Sequence, residues 1–502
     1  MNTPSAPTQA VAPLEPGAAP GPAAQLLPER VGPLLFARGA DGTACRIAVV
    51  MVTAASAASP LLRDADGAAV APVELARLFD RVVRRWDLAL PVADGTGYSV
   101  DGRHYPVATD LRGDLRVAFV SCNGQEHGDA ARSLSERDAM WDRLAEEHGR
   151  APCHLLLHGG DQIYADEILT AHPDLAQWQA LPPRRRGDMR FGEALHAAAR
   201  RWLFGRYLAI AAQPPIARLM AAVPSLMMWD DHDIMDGWGS HPPAVLDSAV
   251  GRGLFQVARE MCALFQLGAA ADELPEICGD VEGGTLTWAA RFPGLTVVAP
   301  DLRSERRPHR VMSQSGWSVY ERLLGEAPAG DRRLVISTVP GLGPRLSWVE
   351  WLMDLIPGAQ KYEDDLRDQW QSRPHRAEWR RFLAGLEREV VARQTPVTLL
   401  SGEIHLAGRG EMRLGGARRL HQLISSGIAH PKPPSIFGPG LGFLARLGGE
   451  PLPGRRIRMF PLPGRKRIYT SERNYLMLFR REGAWTAEWE LEESGRTPPL
   501  EI

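Results

Sequence analysis

Residues 227–239 read MMWDDHDIMDGWG, an apolar run that ends in Asp230, Asp231, His232, Asp233 and Asp236. Carboxylates a few ångströms apart repel and raise one another's pKa. A bound multivalent cation reverses that logic and keeps them ionised. The cluster therefore points to cation chemistry. Similar residues close other apolar runs: Asp161, Tyr164, Asp166 and Glu167 in HGGDQIYADE, Glu403 and His405 in SGEIHLAG, Cys122 in VSCNG, Asp301 and Arg303 in PDLRSER. Taken singly, each has an ordinary reading: solvated acids at a turn, a satisfied histidine, a small buried thiol, a surface ion pair. Taken together they offer oxygen, nitrogen and one sulfur donor, a mixed set suited to a binuclear metal site. Glu403 and His405, two apart on an extended segment, are expected to project to one side and reach one ion. His158-Gly-Gly also suggests an esterase oxyanion loop, but that requires a G-x-S-x-G elbow, and the chain has none.

The elements that must position these residues follow a rhythm. From residue 113 onward, β-branched apolar segments (LRVAFV, CHLLLH, PSLMMW, LTVVA, RRLVIS, PVTLLS) end abruptly in polar, Gly-containing stretches. Amphipathic helices are predicted between several of them, in ARSLSERDAMWDRLAEEH, GEALHAAARRWLFGRYLAI and PHRAEWRRFLAGLEREVVARQ. Such strands imply an α/β fold with sheets covered by helices, and ligands collect where the strands end. Residues 31–110 read as a small β-rich N-terminal domain, with PVELARLFDRVVRRW as an interposed amphipathic helix. Residues 113–502 read as the catalytic domain, with a Pro/Gly/Arg-rich loop at 430–468 flanking the site. Residues 1–28, rich in Ala and Pro, read as a disordered tail.

Composition narrows the class. The chain has 502 residues, 44% hydrophobic and 24% charged, with a formal net charge of -2. This is globular material without the basic excess that nucleic acid or an anionic membrane surface calls for. Five widely spaced cysteines without a CxxC pair argue against a disulfide framework and for a reducing compartment. The N-terminus lacks the basic-then-apolar pattern of a secretion signal, and no apolar run is long enough to span a bilayer. A cytoplasmic location is the expectation.

In order and type, VSCNG, GDQIY, WDDHD, DLRSER and SGEIH resemble the PhoD-like (alkaline phosphatase D) branch of the calcineurin-type metallophosphoesterases. The resemblance implies a metallophosphatase-like β-sandwich flanked by helices and a phosphatase or phosphodiesterase activity. It implies that Asp161 bridges two metal positions, that Cys122 and Tyr164 bind the iron-like one, and that Asp231 and His405 are ligands. His232 is then aimed at the phosphate as general acid, and Arg303 contacts phosphoryl oxygens or forms a salt bridge that supports the fold. Asp236, Glu403 and the downstream Asp368 and His375 are further candidate ligands. Two positions depart from the family: Glu403 replaces its usual Asp, and Asp236 an Asn. The implied cofactors are two or more metal ions, iron with calcium by resemblance, with Mn, Zn or Mg as alternatives. The implied partner is a small phosphate ester or a lipid or polymer phosphodiester. A non-catalytic metal- or phosphate-binding protein on the same scaffold is the alternative.

Overall fold

The computed structural model describes residues 29–280, 283–343, 369–433, 445 and 448–502. The predicted tail at 1–28 and Asp368 lie outside the described residues. The apolar runs form strands because their side chains are buried along their whole length: Leu155–Gly159, Ser225–Met228, Leu295–Ala299, Arg332–Ile336 and Val397–Ser401 are buried at every position. Strands without a solvent face need cover on both sides. Two stacked sheets and an outer layer of helices supply it.

Among the described residues the first sheet has eleven strands and the second eight. The first runs parallel through its centre, Leu115–Val120 pairing with Leu155–Gly159 and that strand with Ser225–Met228. Val117 lies opposite Leu155 and Ser225 opposite Leu156. The second runs parallel from Leu295–Ala299 through Arg332–Ile336 and Val397–Ser401 to Arg418–Ile424. Tryptophans tie the two layers together: Trp288 Nε1 donates to the Met227 carbonyl and Trp489 Nε1 to that of Ile424, at 2.8 and 2.9 Å. Both rings are buried, so each bulky side chain fills the core while its single donor is satisfied. Helices Glu193–Ala211 and Ala249–Gln266 belong to the core of the first sheet, and Gln314–Glu326 and Arg376–Val391 to that of the second. None of the described helices is long and apolar enough to cross a membrane. The five cysteines are buried free thiols.

Three expectations change here. PVELARLFDRVVRRW is not a helix but a hairpin of Val73–Leu78 and Arg81–Pro91, turning at Phe79, whose φ is 57°. Its apolar spacing fits either period. Pairing decides the outcome, because Trp86 sits opposite Val49 and Val83 opposite Val52 on the buried neighbouring strand. Second, the strands of residues 31–110 join the first sheet, Phe36 pairing with Ser225, so residue 110 marks no break in that sheet. Third, the segment expected as one loop at 430–468 contains a hairpin, Gly449–Leu452 with Arg455–Phe460, which extends the second sheet beside Gly408–Gly415.

Candidate metal centre

The carboxyl ends of the central strands of both sheets meet at one edge, and there the loops carrying the predicted residues converge. Two glycines permit the approach. A Cβ at Gly402 would lie 2.5 Å from the Ser121 Cβ, and one at Gly160 would lie 2.7 Å from that of Asp230. Backbone hydrogen bonds hold the loops together: Cys122 N–H donates to the Gly160 carbonyl, Asn123 N–H to that of Asp161, and Ala165 N–H to that of His232. Cys122, Asp161, Glu403 and His405 all have positive φ, between 53° and 63°. Side chains there cost about 1–3 kcal/mol each, strain that concentrates at functional sites.

Donor atoms of Cys122, Asp161 and His405 lie within 4.8 Å of one another, as do those of Asp161, Asp230 and Asp231, and those of Asp231, His232 and Asp236. Asp161 belongs to two of these groups and so sits between them. The Cys122 thiol donates to Asp161 Oδ2 over 3.3 Å and lies 3.1 Å from the Ser426 hydroxyl. The other oxygen, Oδ1, is buried and has no hydrogen-bond partner among the described residues. Burial holds the Asp161 carboxyl well above the usual range, with Asp230 and Asp231 adding to it and His232 opposing. Burial also pushes Cys122 and Tyr164 well up. Asp161, Cys122 and Tyr164 thus resist ionisation, and Asp161 has no arginine or lysine partner among the described residues to offset its charge. Oxygen, thiolate, phenolate and imidazole donors fit metal ions in that place.

Tyr164 Oη lies 3.1 Å from His405 Nε2, and the Tyr164 ring stacks on His232 with centroids 4.3 Å apart. Nδ1 of His232 sits 3.0 Å from Asp166 Oδ2. Because the carboxylate only accepts, that nitrogen carries the proton and Nε2 is left as the second ring nitrogen. Burial works against a charged His232, but Asp166, Asp231 and Asp161 outweigh it and drive the ring well above the ordinary histidine pKa. Asp166 also accepts the Asp236 N–H, and Asp231 that of Gly237.

Four candidate residues stand elsewhere. Arg303 is fully buried, donating to Asp230 and to the Trp238 carbonyl with a further contact to Asp231 at 3.3 Å. Of its two expected roles the salt bridge holds: the guanidinium steadies the WDDHD turn and has no surface to offer a substrate. Asp301 anchors the same turn by accepting from Trp229 Nε1 at 2.9 Å. Glu403 does not join His405. The 403–405 segment is bent, with left-handed backbone at Glu403 and His405, rather than an extended strand, and Glu403 accepts from Gln369 Nε2 at 2.8 Å. His375, buried beside Ser372 and Arg306, belongs to none of the donor groups found among the described residues. Sequence reading left Asp166, Asp230 and Ser426 without roles, although the first two lie inside the quoted motifs.

Comparison with known proteins bears on the family and the fold. Residues 116–363 match the family described as PhoD related phosphatase. The uncharacterized protein YGR266W of Saccharomyces cerevisiae is similar, 26% identical over 410 residues that cover 68% of this chain and 58% of that protein. The chain thus spans under two thirds of that relative's length. The solved structure of PhoD matches with a TM-score of 0.54 and 11% identity, covering 93% of this chain and 88% of the other. The purple acid phosphatase PPD1 from yellow lupin seeds matches at 0.51 and 10%, covering 94% and 73%. Both likenesses are of fold, the metallophosphatase β-sandwich.

Proposed function

We propose, from the match of residues 116–363 to the PhoD-related phosphatase family, that this chain hydrolyses phosphate esters by direct attack of water at a binuclear metal site. The observation that carries the reading is that Asp161 belongs to two donor groups, one with Cys122 and His405 and one with Asp230 and Asp231, and keeps one buried oxygen without a hydrogen-bond partner among the described residues. Cys122, Tyr164 and His405 would hold one ion, Asp231 with Asp236 the other, and Asp161 both. Bound there, two ions supply charge neutralisation at the phosphoryl group and a water of lowered pKa.

The chain's own residues account for the rest. Asp166 fixes the tautomer and orientation of His232 through Nδ1, so Nε2 is the nitrogen that delivers a proton to the departing oxygen. General acid catalysis of this kind contributes about 10²–10⁴-fold. Arg303 and Asp301 hold the WDDHD turn in register, which keeps Asp231 and His232 aimed at one place. The buried walls exclude bulk water and so strengthen every electrostatic interaction inside.

The test is hydrolysis of p-nitrophenyl phosphate and bis-p-nitrophenyl phosphate by the purified chain loaded with iron and calcium, or with Mn, Zn or Mg. Turnover that disappears in Asp161→Asn is expected. Full metal occupancy without turnover on either ester would contradict the enzymatic reading and leave a binding protein on the same scaffold.

A further inference from the structure

Ser426 touches two of the candidate ligands at once and has no role so far. Its hydroxyl lies 3.1 Å from the Cys122 sulfur and accepts the His405 backbone N–H at 2.9 Å. Cys122 follows a strand of the first sheet and His405 a strand of the second. One buried oxygen therefore joins the two layers where the centre is built. It also pins His405 in its left-handed backbone, at a φ of 53°.

The surroundings fix the serine in place. Its carbonyl accepts from Nδ2 of the buried Asn474 at 2.8 Å, and Asn474 Oδ1 accepts from Ser425 Oγ at 2.7 Å. Ser121 Oγ donates to the Ser425 carbonyl at 2.9 Å. The N–H groups of Ile428 and His430 donate to the carbonyls of Ser121 and Cys122.

The placement of hydrogens decides what Ser426 can do. A hydroxyl has one hydrogen and two lone pairs. The His405 N–H occupies a lone pair of Ser426, which leaves its hydrogen for the sulfur. As a metal ligand Cys122 is a thiolate, which only accepts, and an ionised Asp161 has nothing to donate. Ser121 Oγ also lies 3.5 Å from the sulfur, but its single hydrogen serves the nearer Ser425 carbonyl. Among the described residues, Ser426 is the donor left for the thiolate.

We propose that Ser426 is a positioning residue: its O–H donates to the Cys122 thiolate while its oxygen anchors His405, and together these set how strongly the sulfur donates to the ion held there. The inference rests on the proposed metal centre. A hydrogen bond to a ligating sulfur draws off electron density and tunes the metal's electronic state. Removing it makes the thiolate a stronger donor, whereas removing a mere brace leaves the sulfur's electronics unchanged.

The full chain, stripped and then loaded with Co²⁺ alone, is read by near-ultraviolet absorption, where thiolate-to-cobalt charge transfer reports on the sulfur directly. Cys122→Ala lacks that band and so assigns it. Ser426→Ala is expected to move the band to longer wavelength and to weaken Co²⁺ binding by about 10–100-fold. Ser426→Thr keeps a hydroxyl and restores the parental band. Ser121→Ala deletes the hydroxyl whose hydrogen lies elsewhere and leaves the band in place. Melting curves of the metal-free variants check folding. In the unsubstituted chain, loading in D₂O shifts the metal–sulfur stretch in resonance Raman spectra, a readout that needs no variant to fold. An unmoved band in folded Ser426→Ala, an equal shift in Ser121→Ala, or no D₂O effect in the parent overturns the proposal and leaves the metal centre standing. If the parent binds Co²⁺ without any thiolate band, Cys122 is no ligand, and the assignment of the centre falls together with this inference.

Discussion

Two buried aspartates on neighbouring loops show how differently a fold can treat the same side chain. Asp129 is surrounded by cations: Arg132 and Arg137 approach its oxygens at 3.0 and 3.3 Å, and Arg206 donates to it as well. Asp161, equally buried, has no arginine or lysine partner among the described residues. Its neighbours are a thiol, two further aspartates and His232, and one of its oxygens is orphaned. Removing an ion from water costs several kcal/mol, recovered only by close partners. At Asp129 the protein supplies those partners, and the outcome is a rigid knot beneath the Cys122 loop, with Arg137 also donating to the Asn123 carbonyl. At Asp161 the protein withholds them. That difference separates a structural acid from one built to receive a cation.

The contrast can be broken by substitution. Asp161→Asn should have the largest effect, abolishing metal uptake and hydrolysis together. The metal-free variant should melt no lower than the metal-free parent, because an uncompensated buried carboxylate has been removed. Asp129→Asn should do the reverse. It leaves three guanidiniums facing a neutral amide, and loss of one partner from a buried ion cluster costs about 3–5 kcal/mol, read by chemical denaturation. If the two variants shift stability alike, the contrast is wrong. His232→Ala should retain the parent's metal content while slowing turnover by about 10²–10⁴-fold, most for poor leaving groups. Full activity on an alkyl phosphodiester would remove His232 as the acid.

The smallest expected effect concerns His158, buried beneath the same edge. Burial lowers its pKa from 6.5 to about 3. The folded state then binds fewer protons than the unfolded one between those values, so His158 costs nothing above its unfolded pKa and loses the chain stability as pH falls through that window. The slope is about 1.4 kcal/mol per pH unit. His158→Gln should flatten it in denaturation curves collected from pH 7 down to pH 5.

Much of this was legible in the sequence because strand ends are where polar residues interrupt apolar runs. WDDHD and GDQIY follow fully buried strands and VSCNG one that is buried except at Arg116, so chain order alone brought Cys122, Asp161, Tyr164, Asp231 and His232 to one edge. The misses come from information that period and residue type do not carry. Val73–Leu78 and Arg81–Pro91 carry spacing compatible with a helix, and only the neighbouring strand selects a hairpin. Glu403 failed as a partner of His405 because left-handed backbone at both residues breaks the same-side rule. Arg303 was left with two roles, a phosphoryl contact or a salt bridge, because its burial depends on groups distant in sequence, Asp230 and the Trp238 carbonyl.

The claim beneath the whole account is that the space around Asp161 is built for metal ions. Crystals of the metal-replete chain, with anomalous data collected at the metal absorption edge, test it most directly. The account predicts strong peaks within bonding distance of the Asp161 carboxylate, one beside Cys122 and Tyr164 and one beside Asp231. Ordered metal-free density around Asp161 in protein purified and soaked with excess metal, or peaks confined to surface carboxylates, would contradict it.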